Sequence, residues 1–187
     1  MSGKLLQKTI LDNSELFKSD WLQLLLVFSA GILTVWFHEV LRWPLSLPGR
    51  HGLELMAILM FVRLSSKLSF AASLAAVGGM SASLLLHDSG AVAAIILLFQ
   101  GIAIDLGYLV LKRQRLILIL MVLVTACAHM LKPLIKFVFQ TGLNIYSDSL
   151  NHGLVFPMIS HFSFGLIGGL VGFIAWWAMR KKQQTNS

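Results

Sequence analysis

The chain has 187 residues, of which 57% are hydrophobic and only 12% are charged. Soluble domains are usually about 45–50% apolar and about 25% charged, so a water-soluble globular protein is excluded, because too few polar residues remain to cover an apolar core. The net charge of +7 does not indicate nucleic-acid binding, since most basic residues fall at the ends of apolar segments, where membrane topology places them.

The N-terminal segment, residues 1–20, is polar and charged and lacks the apolar core of a signal peptide. The first apolar span is therefore expected to serve as an uncleaved anchor. Residues 4–18 mix apolar side chains with Lys and Glu, which is compatible with a short helix on the inner membrane surface or with a polar leader. Cys127 is the single cysteine, which excludes an internal disulfide and a thiolate cluster for a metal.

Six apolar segments follow, and a helix needs about 20 apolar residues to cross the hydrocarbon core. The segments are residues 21–43, 53–66, 68–86, 91–111, 116–140 and 154–177. The second segment is the shortest, so residues 53–86 offer the alternative of one long kinked helix and five spans in total. We predict one all-α transmembrane domain over residues 1–187, with a six-helix bundle at 21–177 and a basic cytoplasmic tail at 178–187.

The basic residues favour six spans with both termini in the cytoplasm. Eleven of the 15 Lys and Arg then lie on the inner side, and only Arg42 and Arg50 on the outer side, in agreement with the positive-inside rule. Five spans would move Lys112, Arg113 and Arg115 to the side opposite the N-terminus. We therefore expect a multi-pass protein of the bacterial cytoplasmic membrane, surrounded by the lipid bilayer.

Small residues recur at four-residue spacing in the third segment, where Ala71, Ala75 and Gly79 share one helix face. Small residues at this spacing let helix backbones approach closely in lipid. The face either packs within this chain or docks a second membrane subunit. The sixth segment carries four glycines at similar spacing: Gly165, Gly168, Gly169 and Gly172.

All six histidines fall at the outer face or in the outer half of the membrane in this topology. They are His38, His51, His87, His129, His152 and His161. One face of the fifth segment adds further polar residues at spacings of four, three, four and four: Thr125, His129, Lys132, Lys136 and Gln140. Charged side chains inside a membrane are expected to face the bundle interior or a watery cavity. Lys132 is expected to do so, whereas Lys136 either joins it or extends to the interface.

The first outer loop and its flanks form a further polar group, which either lines the mouth of an outward-facing pocket or is an ordinary solvated loop. Its members are His38, Glu39, Arg42, Arg50, His51 and Glu54. Three helices each place an ionisable group at similar depth in the outer half, so we expect these groups to converge on a ligand pocket beneath the loop. The groups that would line it are Glu39, His129, Lys132 and His161.

The inner half of the membrane contributes mainly Asp105, which is expected to accept a hydrogen bond from Tyr108 or to pair with a nearby cation. No HExxH, GxSxG or phosphate-binding loop occurs. No nucleophile or paired carboxylate accompanies the histidines of the membrane interior. An enzyme, a bound cofactor and nucleic-acid binding are therefore not expected.

The chain resembles the substrate-binding S components of energy-coupling factor transporters in size, span number and the outer position of its polar residues. The segment Leu47-Pro-Gly-Arg-His-Gly-Leu-Glu-Leu-Met56, with Arg63 ending the second span, is similar to the loop-and-helix region of some members. The resemblance implies capture of a scarce micronutrient, with ATP hydrolysis supplied by partner ATPases through a transmembrane coupling subunit, or capture by this chain alone.

The imidazole-rich, cationic chemistry of the outer half suits three kinds of ligand: an anion, a transition metal or a metal-containing tetrapyrrole. The sequence does not choose among them. The competing class is a non-transport membrane subunit, such as an assembly factor or scaffold, in which the small-residue faces would carry the function.

Overall fold

The computed structural model describes residues 20–40, 47–86, 91–114, 116–143 and 153–186. These residues form six α-helices, which confirms the all-α class predicted from the sequence. The helices are α1 (Asp20–Val40), α2 (Gly52–Ser65), α3 (Ala71–Leu86), α4 (Ala91–Leu111), α5 (Ile117–Leu143) and α6 (Val155–Asn186). The leader at 4–18 lies outside the described residues.

Three helices are long and apolar enough to cross a membrane, over Val92–Leu111, Ile117–Phe139 and Val155–Thr185. Shorter apolar stretches lie in α1 and α3. With 14 residues, α2 is about 21 Å long at 1.5 Å per residue, less than the roughly 30 Å of a bilayer core. The outer surface of the bundle is apolar, with Trp21, Leu85 and Val110 at least 74% exposed. A surface of this kind indicates association with a membrane.

Consecutive helices run in alternate directions. Side-chain contacts at the two ends of the bundle establish these directions. At one end, Arg63 of α2 pairs with Asp105 of α4; we call it the arginine end. At the other, the loop before α2 meets α5 and α6 at Gly49, His129 and His161; we call it the histidine end. Helices α1, α3 and α5 run from the arginine end to the histidine end, and α2, α4 and α6 return.

The start of α3 differs from the sequence prediction, because the helix begins at Ala71 and not at residue 68. The Ser66 hydroxyl accepts a hydrogen bond from the Leu68 amide and holds this segment in a turn. The Asp105 carboxylate of α4 then accepts the amides of Ala72 and Ser73 at 3.1 and 2.7 Å. A carboxylate from another helix therefore caps α3, where the unpaired amides and the helix dipole favour negative charge.

The C-terminal end of α6 also differs, because the helix continues to Asn186 through the segment interpreted as a basic tail. Ala, Met, Arg, Lys and Gln fill positions 178–184, and all of them favour helix.

The small-residue face of the third segment packs inside this chain. Ala71 and Ala75 are fully buried, and a Cβ added at Gly31 of α1 would collide with the Ala75 carbonyl. Gly79 lies between α1 and α4, where an added Cβ would come within 2.7 Å of the Leu97 side chain. The contacts therefore support packing within the chain over docking of a partner at this face.

Candidate functional site

The most distinctive feature of the histidine end is a pair of imidazoles. His129 projects from the middle of α5 and His161 from the second turn of α6, and their ring centroids are 4.8 Å apart. Both side chains are at most 5% exposed. The two helices can approach this closely because Gly165 lies opposite Ala126 and the His129 Cβ, where an added methyl group would be 2.9 Å from each.

The hydrogen bonds of His129 define its tautomer. Its Nε2 lies 3.2 Å from the Gly49 carbonyl oxygen, which can only accept, so Nε2 carries the proton and donates. Its Nδ1 then accepts from the Gln100 side-chain amide of α4 at 3.2 Å. Both ring nitrogens of this buried imidazole are thus satisfied, as burial of a polar group requires.

His161 is bonded differently. Its Nδ1 lies 2.7 Å from the Pro157 carbonyl of the preceding turn, so Nδ1 donates and Nε2 carries the lone pair. The two rings therefore differ in their bonding: His129 donates from Nε2 to the loop, whereas His161 donates from Nδ1 to its own helix and keeps a lone pair on Nε2.

The loop before α2 covers the two rings. Gly49 has φ of +84°, a conformation that glycine adopts without steric cost, and a Cβ there would lie 2.9 Å from the His161 ring. At Gly52 an added Cβ would collide with Nε2 of His129. The Ser160 hydroxyl of α6 donates to the Pro48 carbonyl. Two glycines and two hydrogen bonds thus seat the loop directly on the histidines.

The lysines of α5 extend the site toward the end of the bundle. Lys132 lies one turn beyond His129 on the same face of α5, and its side chain is partly buried. Lys136 follows one turn later on that face. Of the predicted polar face of α5, His129, Lys132 and Lys136 follow one another toward the histidine end, Thr125 bonds to its own helix, and the Gln140 side chain lies outside the described residues.

The remaining predicted residues are placed as follows. Arg50 and His51 lie in the covering loop, where the Arg50 Nε donates to the His51 Nε2 at 3.1 Å. Glu54 lies half-buried in the first turn of α2. The side chains of His38 and Glu39 and all of Arg42 lie outside the described residues. The structure thus brings together His129, His161 and Lys132 of the predicted pocket.

The arginine end has a separate polar network. Arg63, only 2% exposed, donates to Asp105 Oδ1 at 3.0 Å and to the Ser66 carbonyl at 3.1 Å. Its guanidinium lies 4.4 Å from the centroid of the Tyr108 ring. Of the two roles expected for Asp105, pairing with a cation is the one observed. The network joins α2, α3 and α4, and Gln23 of α1 joins it through the Ser66 hydroxyl at 3.0 Å.

Sequence reasoning missed Gln100, Gly49 and Ser160 as parts of the histidine site. Gln100 is a lone polar residue in an apolar helix, and such a residue in a membrane usually faces a polar partner. The Pro-Gly-Arg-His-Gly segment at residues 48–52 predicts a tight turn. Nothing in the sequence indicated which helices that turn would contact.

A concavity lies between α4 and α5 and has a volume of about 410 Å³. Apolar residues such as Leu120, Leu123 and Leu131 line it, and Cys127 is its most polar side chain. It offers no charged group to orient a polar ligand, so the histidine end is the better candidate for a binding site.

Comparisons with models of protein families, with curated proteins and with solved structures found no match for this chain.

Proposed function

We propose that this chain is the membrane-embedded substrate-capture subunit of a micronutrient importer and binds its ligand at the histidine end. One observation carries the proposal. His129 and His161, from two different helices, meet 4.8 Å apart beneath a loop that is hydrogen-bonded to both helices. Polar groups buried in a membrane protein favour functional sites, because their burial is costly unless each one is bonded.

The covering loop supports this proposal because polar contacts hold it. Its bonds to His129 and Ser160 are exchangeable, since a ligand or water can replace each carbonyl acceptor at a small net change in free energy. Release of the loop would uncover both rings and the nearby Lys132 together. Loop motions of this kind gate many binding sites.

The proposal includes six membrane spans, with the arginine end in the cytoplasm. The alternating helix directions support it, as do the basic residues in the loops and C-terminal turns at that end: Lys67, Lys112, Arg113, Arg180, Lys181 and Lys182. The histidine end then faces the cell exterior, where an importer meets its substrate.

In this proposal ATP hydrolysis belongs to partner subunits, as the resemblance to energy-coupling factor S components implies. Ala71 and Ala75 are buried within the chain. A coupling subunit would therefore contact a different face.

Mass spectrometry of small molecules that co-purify in mild detergent tests the capture function. We expect one compound to be enriched over a mock purification and depleted in Lys132→Met and His161→Ala. Lys132→Met keeps most of the side-chain length and removes the charge, so binding should weaken by about 1–3 kcal/mol for a lost charge-assisted bond. Lys182→Met, the same change on the exposed end of α6, should retain the compound.

The opposite pattern would overturn the proposal. If no compound is enriched, or if both variants retain it while the protein loses stability in detergent, these residues hold the fold and the capture function is wrong.

A further inference from the structure

We infer that the ligand of the histidine end is an oxyanion, a carboxylate or a phosphate, and not a metal cation. The inference rests on the proposed function, and it selects one of the three ligand kinds that the sequence allows. Three features of the described residues support it: the sign of the charges, the tautomer of His129 and the oxygen atom already bound to it.

Among the described residues of this end, the charged groups are predominantly positive: Arg50, Lys132 and Lys136 are cationic, and Glu54 is the one carboxylate. Arg42, Asp88, Asp148 and the side chain of Glu39, which belong to the same end in the six-span arrangement, lie outside the described residues. Clustered charges of one sign in low-dielectric surroundings attract ions of the opposite sign and raise their local concentration. The described cations would therefore attract an anion and repel a free metal ion.

The spacing of the two lysines also favours an anion. Lys132 and Lys136 are one turn apart on α5, and like charges at this helical spacing repel each other. No carboxylate pairs with either ammonium among the residues the structure describes. An anion between or above them would relieve the repulsion, because a charge inside a membrane is stabilised by a partner of opposite sign.

The tautomer of His129 opposes metal binding. Its Nε2 holds a proton and its Nδ1 lone pair accepts from Gln100, so neither nitrogen presents a lone pair to a metal. His161 would supply one nitrogen ligand only. The described residues contain no group of three His, Cys, Asp or Glu side chains suited to hold a metal ion.

The Gly49 carbonyl marks where the ligand oxygen would lie. It accepts the Nε2–H of His129 at 3.2 Å. When the loop lifts, this N–H loses its acceptor, and an anionic oxygen restores the bond in a stronger, charge-assisted form. The loop oxygen thus occupies the position of a ligand oxygen in the closed state.

Two thiol reagents of similar size and opposite charge test the sign of the site without knowledge of the ligand. Ser160→Cys in a Cys127→Ala background places one thiol beside the covering loop. Its labelling rates with anionic sulfonatoethyl and cationic trimethylammonioethyl methanethiosulfonate are measured in detergent, each normalised to the rate with 2-mercaptoethanol. We expect about a tenfold preference for the anionic reagent, at the low end of electrostatic enhancement.

Adding Lys132→Met should lower this ratio toward one, with Arg50 and Lys136 still present, while Lys182→Met should leave it unchanged. A preference for the cationic reagent, or a ratio that Lys132→Met does not alter, would overturn the inference. Slower labelling by the uncharged hydroxyethyl methanethiosulfonate in phosphatidylglycerol nanodiscs than in phosphatidylcholine nanodiscs would identify the anion as a lipid headgroup, because the surface charge of the bilayer does not act on an uncharged reagent. Protection by inorganic phosphate would identify a soluble anion.

The capture function and the oxyanion inference can be contradicted independently of each other. If a metal ion or a cationic solute co-purifies and is lost with His161→Ala, the capture function stands and the oxyanion inference is wrong. If the anionic preference holds but no solute co-purifies, the inference stands and the capture function is wrong.

Discussion

At the scale of single residues, the two polar clusters of this bundle differ in how their charges are compensated. Arg63 and Asp105 neutralise each other, and the carboxylate also accepts hydrogen bonds from the backbone and side chain of Ser73. Lys132 has no such partner among the described residues. The first arrangement is that of a structural network, whereas the second is the charge that the proposed ligand would compensate.

Asp105→Asn tests the structural role of the arginine end. The amide keeps the shape but removes the charge opposite Arg63, and breaking a buried pair typically costs about 3–5 kcal/mol because the other charge remains buried. Thermal unfolding in detergent, followed by tryptophan fluorescence, should therefore begin at a clearly lower temperature. Ser163→Ala, an exposed hydroxyl bonded within its own helix, is the matched control and should change little.

The double variant Arg63→Met/Asp105→Asn should be more stable than Asp105→Asn alone, because the unpaired charge is gone. An Asp105→Asn variant as stable as the original protein would show that the ion pair does not hold α2, α3 and α4 together.

At the scale of helices, α6 is the element that builds the histidine site. Two glycine pairs on different faces let it approach two neighbours. Gly165 and Gly169 meet α5, whereas Gly168 and Gly172 meet backbone carbonyls of α2. The contacts with α5 place His161 against His129, and the contacts with α2 hold the covering loop near both.

Gly168→Ala tests this packing. The added methyl carbon would lie 2.5 Å from the Leu53 carbonyl oxygen, so α6 and α2 must separate, at a cost of about 1–3 kcal/mol for an overpacked contact. We expect a lower unfolding temperature in detergent. Val171→Ala, on the same helix at a side chain 45% exposed, should have a much smaller effect. Equal effects of the two changes would contradict a close α6–α2 contact.

At the scale of the whole molecule, the two ends of the bundle face in opposite directions with different chemistry. The arginine end carries basic loops, and the histidine end carries the covering loop and the paired imidazoles. If the chain spans the membrane six times, single cysteines at the two ends should be labelled from opposite sides.

Leu47→Cys and Gln114→Cys, each in a Cys127→Ala background, test this arrangement. Both positions are exposed, in loops at opposite ends. A membrane-impermeant maleimide should label Leu47→Cys in intact cells and Gln114→Cys only after permeabilisation, because basic loops remain in the cytoplasm. Labelling of both cysteines in intact cells would be incompatible with the six-span arrangement.

The sequence by itself determined the helical class, the approximate positions of the six helices and the polar face of α5. These features follow from the length of the apolar segments and from the 3.6-residue helical repeat. Both can be read directly from one sequence. It also predicted that His129, Lys132 and His161 converge, because burial of ionisable groups at similar depth in lipid favours this; the two histidine rings do lie 4.8 Å apart, and a shared ligand site stays a prediction.

Only the tertiary structure decided which groups satisfy one another. The sequence could not predict that Asp105 caps α3, that the Gly49 carbonyl accepts a hydrogen bond from His129, or that the small-residue face of α3 is covered by α1. Each of these contacts joins residues more than 30 positions apart. Their partners are set by how the helices pack, and packing depends on the shapes of all six helices together, which no local pattern encodes.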